Sequence, residues 1–434
     1  MRLLVKGGRI VDPANGIDET MDLLVVDSAV AEIGRSLPED GAELLDATGK
    51  IVCPGFIDIH THLREPGFEY KEDIASGSRA AAAGGFTTIC AMPNTSPVVD
   101  NAAVAIFVRE KARQAGVVDV LPIGSVTKKQ AGEELSEMGE LAEAGCVAFS
   151  DDGSPVTRSD VMRHALEYAR MFGLPILSHC EDLNLSRDGQ MHEGYRSTVF
   201  GLRGIPAAAE EAMVARDVIM AQLTSGRVHV CHASTAGALD IIRKAKLQGL
   251  KVTCEATPHH LVLTDEAVES YDADTKVNPP LRSEEHVEAL RRAVADGLVD
   301  CIATDHAPHN LESKDCEYAA ASFGISGLET AVAVVMDKLV NTGLLSIGRM
   351  VELFTAGPAR VIGLSASRGT LTPGVRANIT ILDPNTVRTV DPAKFYSKGK
   401  NSPFKGMELR GWPWAAIVAG TVVCRDGVVA QGLR

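Results

Sequence analysis

The sequence predicts an α/β protein: a (β/α)8 TIM-type barrel with a small β-sandwich that the N- and C-terminal segments build together. Three observations predict it. Eight short apolar runs alternate with helical segments through the middle of the chain, and hairpin-like runs occupy both ends. No glycine-rich GxGxxG turn follows the first central strand, which disfavours an open dinucleotide-binding sheet. At 434 residues the chain can hold one large barrel and a smaller companion, since typical domains span roughly 100 to 200 residues. The expected division is 1–52 for the N-terminal part of the sandwich, 53–365 for the barrel and 366–434 for the C-terminal part.

Each element has its own signal. Runs at 3–6, 9–11 and 22–26 are punctuated by Gly7-Gly8, by Pro13-Ala14-Asn15-Gly16 and by Asp27-Ser28, the pattern of β-hairpins. The C-terminal end repeats it, with 377–382 stopped by Asp383-Pro384 and 416–424 interrupted by Gly420 and closed by Asp426-Gly427. Neither end carries enough strands for its own core, so one shared sandwich is expected. Between them the candidate strands are 56–62, 87–94, 119–126, 146–152, 175–180, 227–234, 251–260 and 300–309. The intervals read as helices. In 159–173, Ser159 is a candidate N-cap, Met162, Leu166, Ala169 and Phe172 make one apolar face, and Gly173 stops the helix. In 234–249, Leu239, Ile242 and Ala245 are expected to face inward.

Composition narrows the function. Hydrophobic residues make 45% and charged residues 23% of the chain, as in folded globular proteins and not in disordered ones. The formal charge is −14 and no basic run offers a phosphate-tracking stripe, which excludes nucleic acid as a partner. Nine cysteines, an odd count with no CxxC pair, read as reduced thiols and point to the cytoplasm. Lys6 breaks the first apolar run and nowhere do about 18 apolar residues run uninterrupted, so neither export nor a membrane span is expected.

The informative residues end the predicted strands: His60 and His62, Asn94, Asp152, His179, His232, His260, and Asp305, His306 and His309. In a (β/α)8 barrel these ends open on one face, so residues remote in sequence meet there. His60 and His62 stand two apart, project to one side of a strand and can share a metal ion. Paired or single histidines are individually weak signals, but four on three strand ends with Asp305 on the eighth are hard to dismiss. Four imidazoles and a carboxylate exceed the three protein ligands usual for one catalytic zinc, so two ions with a bridging group are expected. The bridge would be Asp151 or Asp152, and alternation along a strand does not choose between them. Cys180 and Cys231 neighbour candidate ligands and are therefore expected to face away and pack between barrel and helices. His259 and His260 are read as structural, as are His164, His192, His229 and His286.

The motifs carrying these residues resemble those of the amidohydrolase superfamily and, within it, the type I bacterial dihydroorotases. The resemblance spans nearly the whole chain. It rests on Gly55-Phe56-Ile57-Asp58-Ile59-His60-Thr61-His62-Leu63-Arg64-Glu65-Pro66-Gly67, Ala91-Met92-Pro93-Asn94-Thr95, Phe149-Ser150-Asp151-Asp152-Gly153, Ser178-His179-Cys180-Glu181-Asp182, Asn278-Pro279-Pro280-Leu281-Arg282, Ala303-Thr304-Asp305-His306-Ala307-Pro308-His309 and Phe323-Gly324. It implies that His60, His62 and Asp305 hold one Zn2+, that His179 and His232 hold the other, and that Asp152 bridges them; other divalent metals are also compatible with these ligands. Many superfamily members, hydantoinases and dihydropyrimidinases among them, bridge with a carboxylated lysine on the fourth strand. Here the nearest preceding lysine is Lys129, which favours the aspartate-bridged branch.

The implied activity is the interconversion of N-carbamoyl-L-aspartate and L-dihydroorotate by metal-activated hydroxide attack on a cyclic amide, within pyrimidine biosynthesis. Asp305 would move the proton. Arg64, Asn94 and His309 would take the substrate carboxylate, with Arg64 offering a planar fork. Asn278 and the main chain at Phe323 and Gly324 would read the ring's amide edge, with His62 also at the substrate. Alternatives are another cyclic-amide hydrolase of the allantoinase or hydantoinase type, or a noncatalytic subunit propping up an aspartate transcarbamoylase; the latter should lack the metal-binding histidines, and all four are present. A homo-oligomer is expected, a contact with aspartate transcarbamoylase is compatible with catalysis, and 310–321 is a candidate mobile lid.

Overall fold

The computed structural model describes residues 2–431. The first three barrel strands, Phe56–Thr61, Phe86–Ala91 and Asp119–Pro122, pair in parallel in that order. The fifth to eighth, Ile176–Ser178, Val228–Val230, Val252–Ala256 and Cys301–Ile302, form a second parallel run. Between the two runs the predicted strand at 146–152 contracts to bridges from Phe149 to Gly124 and to Ile176. Its main chain still bonds both neighbours, since the Phe149 amide donates to Pro175 and the Ser150 amide to Gly124. A bridge between Thr61 and His306 closes the cylinder. The eight predicted strands are therefore the eight staves of a closed barrel, each shorter than expected because the chain leaves the ladder where the polar residues begin.

Two corrections have local causes. The seventh strand stops at Ala256 instead of 260, because Thr257 caps a short helix, Pro258–Val262, with its hydroxyl accepting from the His260 amide and proline at the first turn. His259 and His260 thus sit on that helix. In helix Ser159–Phe172 the N-cap is Arg158, not Ser159, and no side chain caps it. At the other end Gly173 takes the left-handed conformation, φ 69°, as a terminating glycine should. Met162, Leu166 and Ala169 are buried, whereas Phe172 in the last turn is exposed. In helix Ala236–Leu247 the expected Leu239, Ile242 and Ala245 are buried.

Strands from both ends of the chain form a single sheet of nine. From one edge the order is Val428–Val429, Thr421–Arg425, Glu408–Val418, Ile379–Thr389, Ile51–Pro54, Arg2–Asp12, Ile17–Val26 and Ala29–Gly34, with Glu43–Asp46 also on Arg2–Asp12. One apolar core gathers Leu3, Val5, Ile10 and Leu23 from the first strands with Ile379, Ile381, Ala415 and Ile417 from the last, so the sheet folds over its own core. Ile51–Pro54 ties the ends together, parallel to Arg2–Asp12 and antiparallel to Ile379–Thr389. It then runs through Gly55 directly into the first barrel strand. A side chain at Gly55 would stand 2.1 Å from Thr87 Oγ1, so only glycine permits this passage.

Inside the barrel, Ile57, Ile59, Cys90, Ile123, Leu177 and Cys301 interdigitate, with Val361 and Ile362 in the same cluster. This packed interior leaves only the opposite, C-terminal rim for polar groups. Cys231 belongs to it too, contrary to the expectation that it packs against helices; Cys180 does pack outside. The cause is His232, whose φ of 33° breaks the strand's alternation at the candidate ligand itself. No disulfide forms among the described residues, and eight of the nine cysteines are buried.

Candidate metal centre

The four histidines and two aspartates, all buried, converge on one point at the C-terminal rim. Nε2 of His60 lies 3.4 Å from Oδ1 of Asp152 and 3.4 Å from Oδ1 of Asp305. Nε2 of His62 lies 3.3 Å from Oδ2 of Asp152 and 3.1 Å from Asp305 Oδ1. On the other side, His179 Nδ1 and His232 Nε2 are 3.0 Å apart and stand 3.4 and 3.6 Å from Asp152 Oδ1. Two ligands of one tetrahedral ion, each at about 2.0–2.1 Å, stand about 3.4 Å apart, so these spacings suit shared cations. Asp152 faces both pairs, and Asp151 does not: its carboxylate accepts from the Val126 and Thr127 amides and the Thr127 hydroxyl. Among the described residues His60 Nε2 and Asp152 Oδ1 are buried without a hydrogen-bond donor or acceptor, as ligand atoms aimed at an ion should be.

The remaining ring nitrogens of His60, His62 and His179 are held, whereas His232 Nδ1 is buried without a partner among the described residues. His60 Nδ1 donates to Glu255 at 2.6 Å, His62 Nδ1 to Asn94 Oδ1 at 2.8 Å, and His179 Nε2 to Glu181 at 2.9 Å. Such partners fix the tautomer and orient the ring. Glu255 also accepts from His229 Nε2 at 3.1 Å and from the His232 amide at 3.1 Å, so one buried carboxylate locks two ligand strands. Asp58 ties the first strand to the eighth by accepting from the His60 amide and the Thr304 hydroxyl. Two candidate ligands pay in backbone strain, since His232 and Asp305 (φ 48°) lie in the left-handed region, each costing on the order of 1–3 kcal/mol.

Electrostatics agree with the donor set. Burial opposes charge on His60, but Glu255, Asp152 and Asp305 outweigh it and raise its pKa well above the imidazole range. Burial likewise opposes charge on His179, which Asp152 and Glu181 nonetheless lift to about 10. Asp152 is held well below the carboxylate range: burial alone would raise it, and His60 and its fellow histidines reverse that. The cluster is a pocket of negative potential into which cations fit in place of protons.

Beside it opens a cavity of about 200 Å³ lined by Arg64, Asn94, Gly153, Asn278, Ala307, Phe323 and Gly324 along with ligand residues. Arg64, at φ 62°, makes a single 3.4 Å bond to the Pro308 carbonyl and has no carboxylate partner among the described residues. Glu65, its sequence neighbour, instead pairs with Lys111 and caps the Ile74 amide. His309 lies behind this lining, its Nε2 donating to the Phe323 carbonyl at 2.8 Å and its Nδ1 unpartnered. Burial, then Arg64 and Lys71, pushes its pKa down to about 2, so it is neutral. Asn278 donates to Glu181 at 3.0 Å. Of the main-chain groups expected to read a ring, the Gly324 amide already donates to the Lys276 carbonyl and the Gly324 carbonyl accepts from Lys314 and Asn401. The Phe323 amide is the donor that remains. His260 is a structural residue, bonded to Thr257 and to the Pro279 carbonyl.

Glu255, Glu181, Asp58 and Gly153 are the site residues that sequence reasoning passed over. A lone acid inside the apolar run Val252–Ala256 was the available signal for Glu255, because a buried carboxylate needs partners. Glu255→Gln should weaken metal affinity about 10- to 100-fold while the fold persists, as read by titration against a competing chelator.

A closed (β/α)8 barrel with this histidine–aspartate cluster at its C-terminal rim defines a metal-dependent cyclic amidohydrolase. The comparisons are narrower. A family model described as dihydro-orotase-like matches residues 49–238. A dihydroorotase of Pelotomaculum thermopropionicum is 56% identical over 99% of this chain and 100% of its own length, and one of Geobacter metallireducens is 52% identical over 98% and 99%. Among solved structures, the L-hydantoinase of Arthrobacter aurescens superposes with a TM-score of 0.89 at 29% identity, covering 99% of this chain and 97% of its own. The chain belongs to the dihydroorotase family.

Proposed function

We propose that the chain interconverts N-carbamoyl-L-aspartate and L-dihydroorotate in this cavity. The observation that carries the substrate assignment is Arg64, an unpaired guanidinium on the wall of the cavity that Asp152 and Asp305 also line. A partly desolvated Arg without a carboxylate calls for an anion, and dihydroorotate carries one beside its cyclic amide. His60, His62 and Asp305 would hold one Zn2+, His179 and His232 a second, with Asp152 between them. When bound, such ions supply a nucleophilic hydroxide at neutral pH and polarise the amide carbonyl.

The chain's own residues do the rest. Arg64, with the amide group of Asn94, fixes the substrate carboxylate so that the ring amide faces Asp305; the neutral His309, expected at that carboxylate, spends its one N–H on the Phe323 carbonyl and so acts by holding that main chain in place. Asp305 accepts the proton of the attacking water and delivers it to the departing ring nitrogen. Ring closure runs through the same positions in reverse. Asn278 and the Phe323 amide meet the ring's polar edge. This reading places the chain in pyrimidine biosynthesis in the cytoplasm. No helix among the described residues is long and apolar enough to cross a membrane. A homo-oligomer belongs to this reading, with exposed Ile219 and Leu223, four apart on helix Ala207–Thr224, as a candidate contact, and a transcarbamoylase contact is compatible with it.

A hydantoinase is the reading that overall shape would favour. Position 152 opposes it: the bridge site carries aspartate, and Lys129 is an exposed residue in the turn Lys128–Gln130. The test is metal analysis of the purified chain combined with assays on dihydroorotate, allantoin and hydantoins. Two equivalents of zinc and dihydroorotate turnover are expected; activity on the other rings alone would overturn the assignment. Arg64→Met should raise KM for dihydroorotate and leave metal content intact, whereas loss of metal would make Arg64 structural.

A further inference from the structure

Two lysines behind the cavity wall take no part in the scheme just given. Lys276 is 2% and Lys314 7% exposed, an unusual depth for ammonium groups. Neither has a carboxylate partner among the described residues; their bonds go to main-chain carbonyls. Lys276 donates to Tyr318 at 2.8 Å and Ala319 at 3.0 Å, and its Nζ lies 4.6 Å from the centre of the Phe323 ring. Lys314 donates to Ser322 at 2.8 Å and Gly324 at 2.9 Å. The Gly324 amide returns a bond to the Lys276 carbonyl at 2.9 Å. Tyr318 packs with Met191 and Val268. The second half of the segment expected to be a lid is thus fastened from both sides, and the fastening ends at the two residues that line the cavity.

Carbonyls can be satisfied by neutral donors at less desolvation cost, so the positive charge calls for its own explanation. Arg64 lies on the same wall, and the low pKa of His309 registers Arg64, Lys71 and Lys314 together after burial. In a chain of net charge −14, this wall gathers Arg64, Lys276 and Lys314, none of them in an ion pair among the described residues, although Asp272 and Asp274 act on Lys314 from a distance and Asp152 and Asp305 on Arg64. An anionic substrate must approach against the overall charge, and a local positive field at low dielectric offsets that repulsion.

We propose that Lys276 and Lys314 are positioning residues for substrate, holding the 314–324 strap so that the Phe323 amide faces the cavity and keeping that wall positive for the substrate carboxylate. The proposal rests on the dihydroorotase reading and extends it to two residues that touch neither metal nor reacting atoms.

The test uses the full-length, metal-loaded protein and the variants Lys314→Met, Lys314→Gln, Lys314→Arg and Lys276→Met, with kcat, KM, metal content and limited proteolysis measured for each. Lys314→Met should raise KM for dihydroorotate about tenfold with kcat changed by less than about threefold, keep full metal content, and speed cleavage within 310–324. Lys314→Gln retains donors without charge, so it should recover protease resistance more than KM. Lys314→Arg should recover both. Unchanged KM in Lys314→Met, or a fall in kcat that tracks lost metal, would overturn the proposal. Should Lys276→Met fail to fold, the Lys314 series decides alone. A wild-type chain inactive on dihydroorotate would instead overturn the functional reading, while proteolysis of the same variants would still report on the strap.

Discussion

Replacing Asp305 by alanine is expected to reduce turnover at least about 10²- to 10⁴-fold, the range typical of losing a general acid–base. Two losses combine in this one substitution. Oδ1 of Asp305 stands 3.1 Å from His62 and 3.4 Å from His60, so its removal would open the ligand set proposed for one ion. Among the described residues it also removes the only carboxylate that both lines the cavity and is not the proposed bridge. Asp305→Asn separates the two, since asparagine keeps an oxygen donor but cannot carry the proton. Metal content near wild type with turnover still depressed would assign the loss to proton transfer. Turnover near wild type in Asp305→Ala would end the assigned role. The His60 and His179 rings do not take over the role, because they are bonded to Glu255 and Glu181.

The barrel and most of the site could be read before any coordinates because both rest on short-range patterns. Apolar runs alternating with helix signals mark the staves, and side chains at strand ends must meet at one rim. What escaped depends on where the backbone departs from ideal geometry. Cys231 faces inward because His232 leaves the strand at positive φ, and periodicity carries no trace of that turn. His259 and His260 lie on a helix because the Thr257-Pro258 start signal overrides an apolar run. Asn94 is expected at the substrate, and its carbonyl also holds His62, a second role that only the spacing of two remote strands decides. Phe323 and Gly324 line the cavity, yet the bonds that hold Gly324 go to Lys276, Lys314 and Asn401, far apart in sequence. Pairwise motifs locate ligands; the groups that orient them come from other staves.

Asp152→Asn should prove nearly as damaging as the loss of Asp305, and for a different reason. The carboxylate places Oδ2 toward His62 and Oδ1 toward His60, His179 and His232, all within 3.3 to 3.6 Å. Asparagine matches it in volume but presents one oxygen and one amide nitrogen, so it can serve one ion and repels the other with its N–H groups. It also removes a negative charge that four imidazoles surround. The variant should hold at most one equivalent of metal and lose at least about 10²-fold in turnover, the scale on which a missing charge stabiliser is felt. Asp151→Asn is the control, because Asp151 bonds the Val126 and Thr127 amides and no histidine. It should cost stability and leave the metal count at its wild-type value. If both variants kept two ions and full turnover, the bridge would have to lie elsewhere; if only Asp151→Asn lost metal, the two neighbouring aspartates would have exchanged roles.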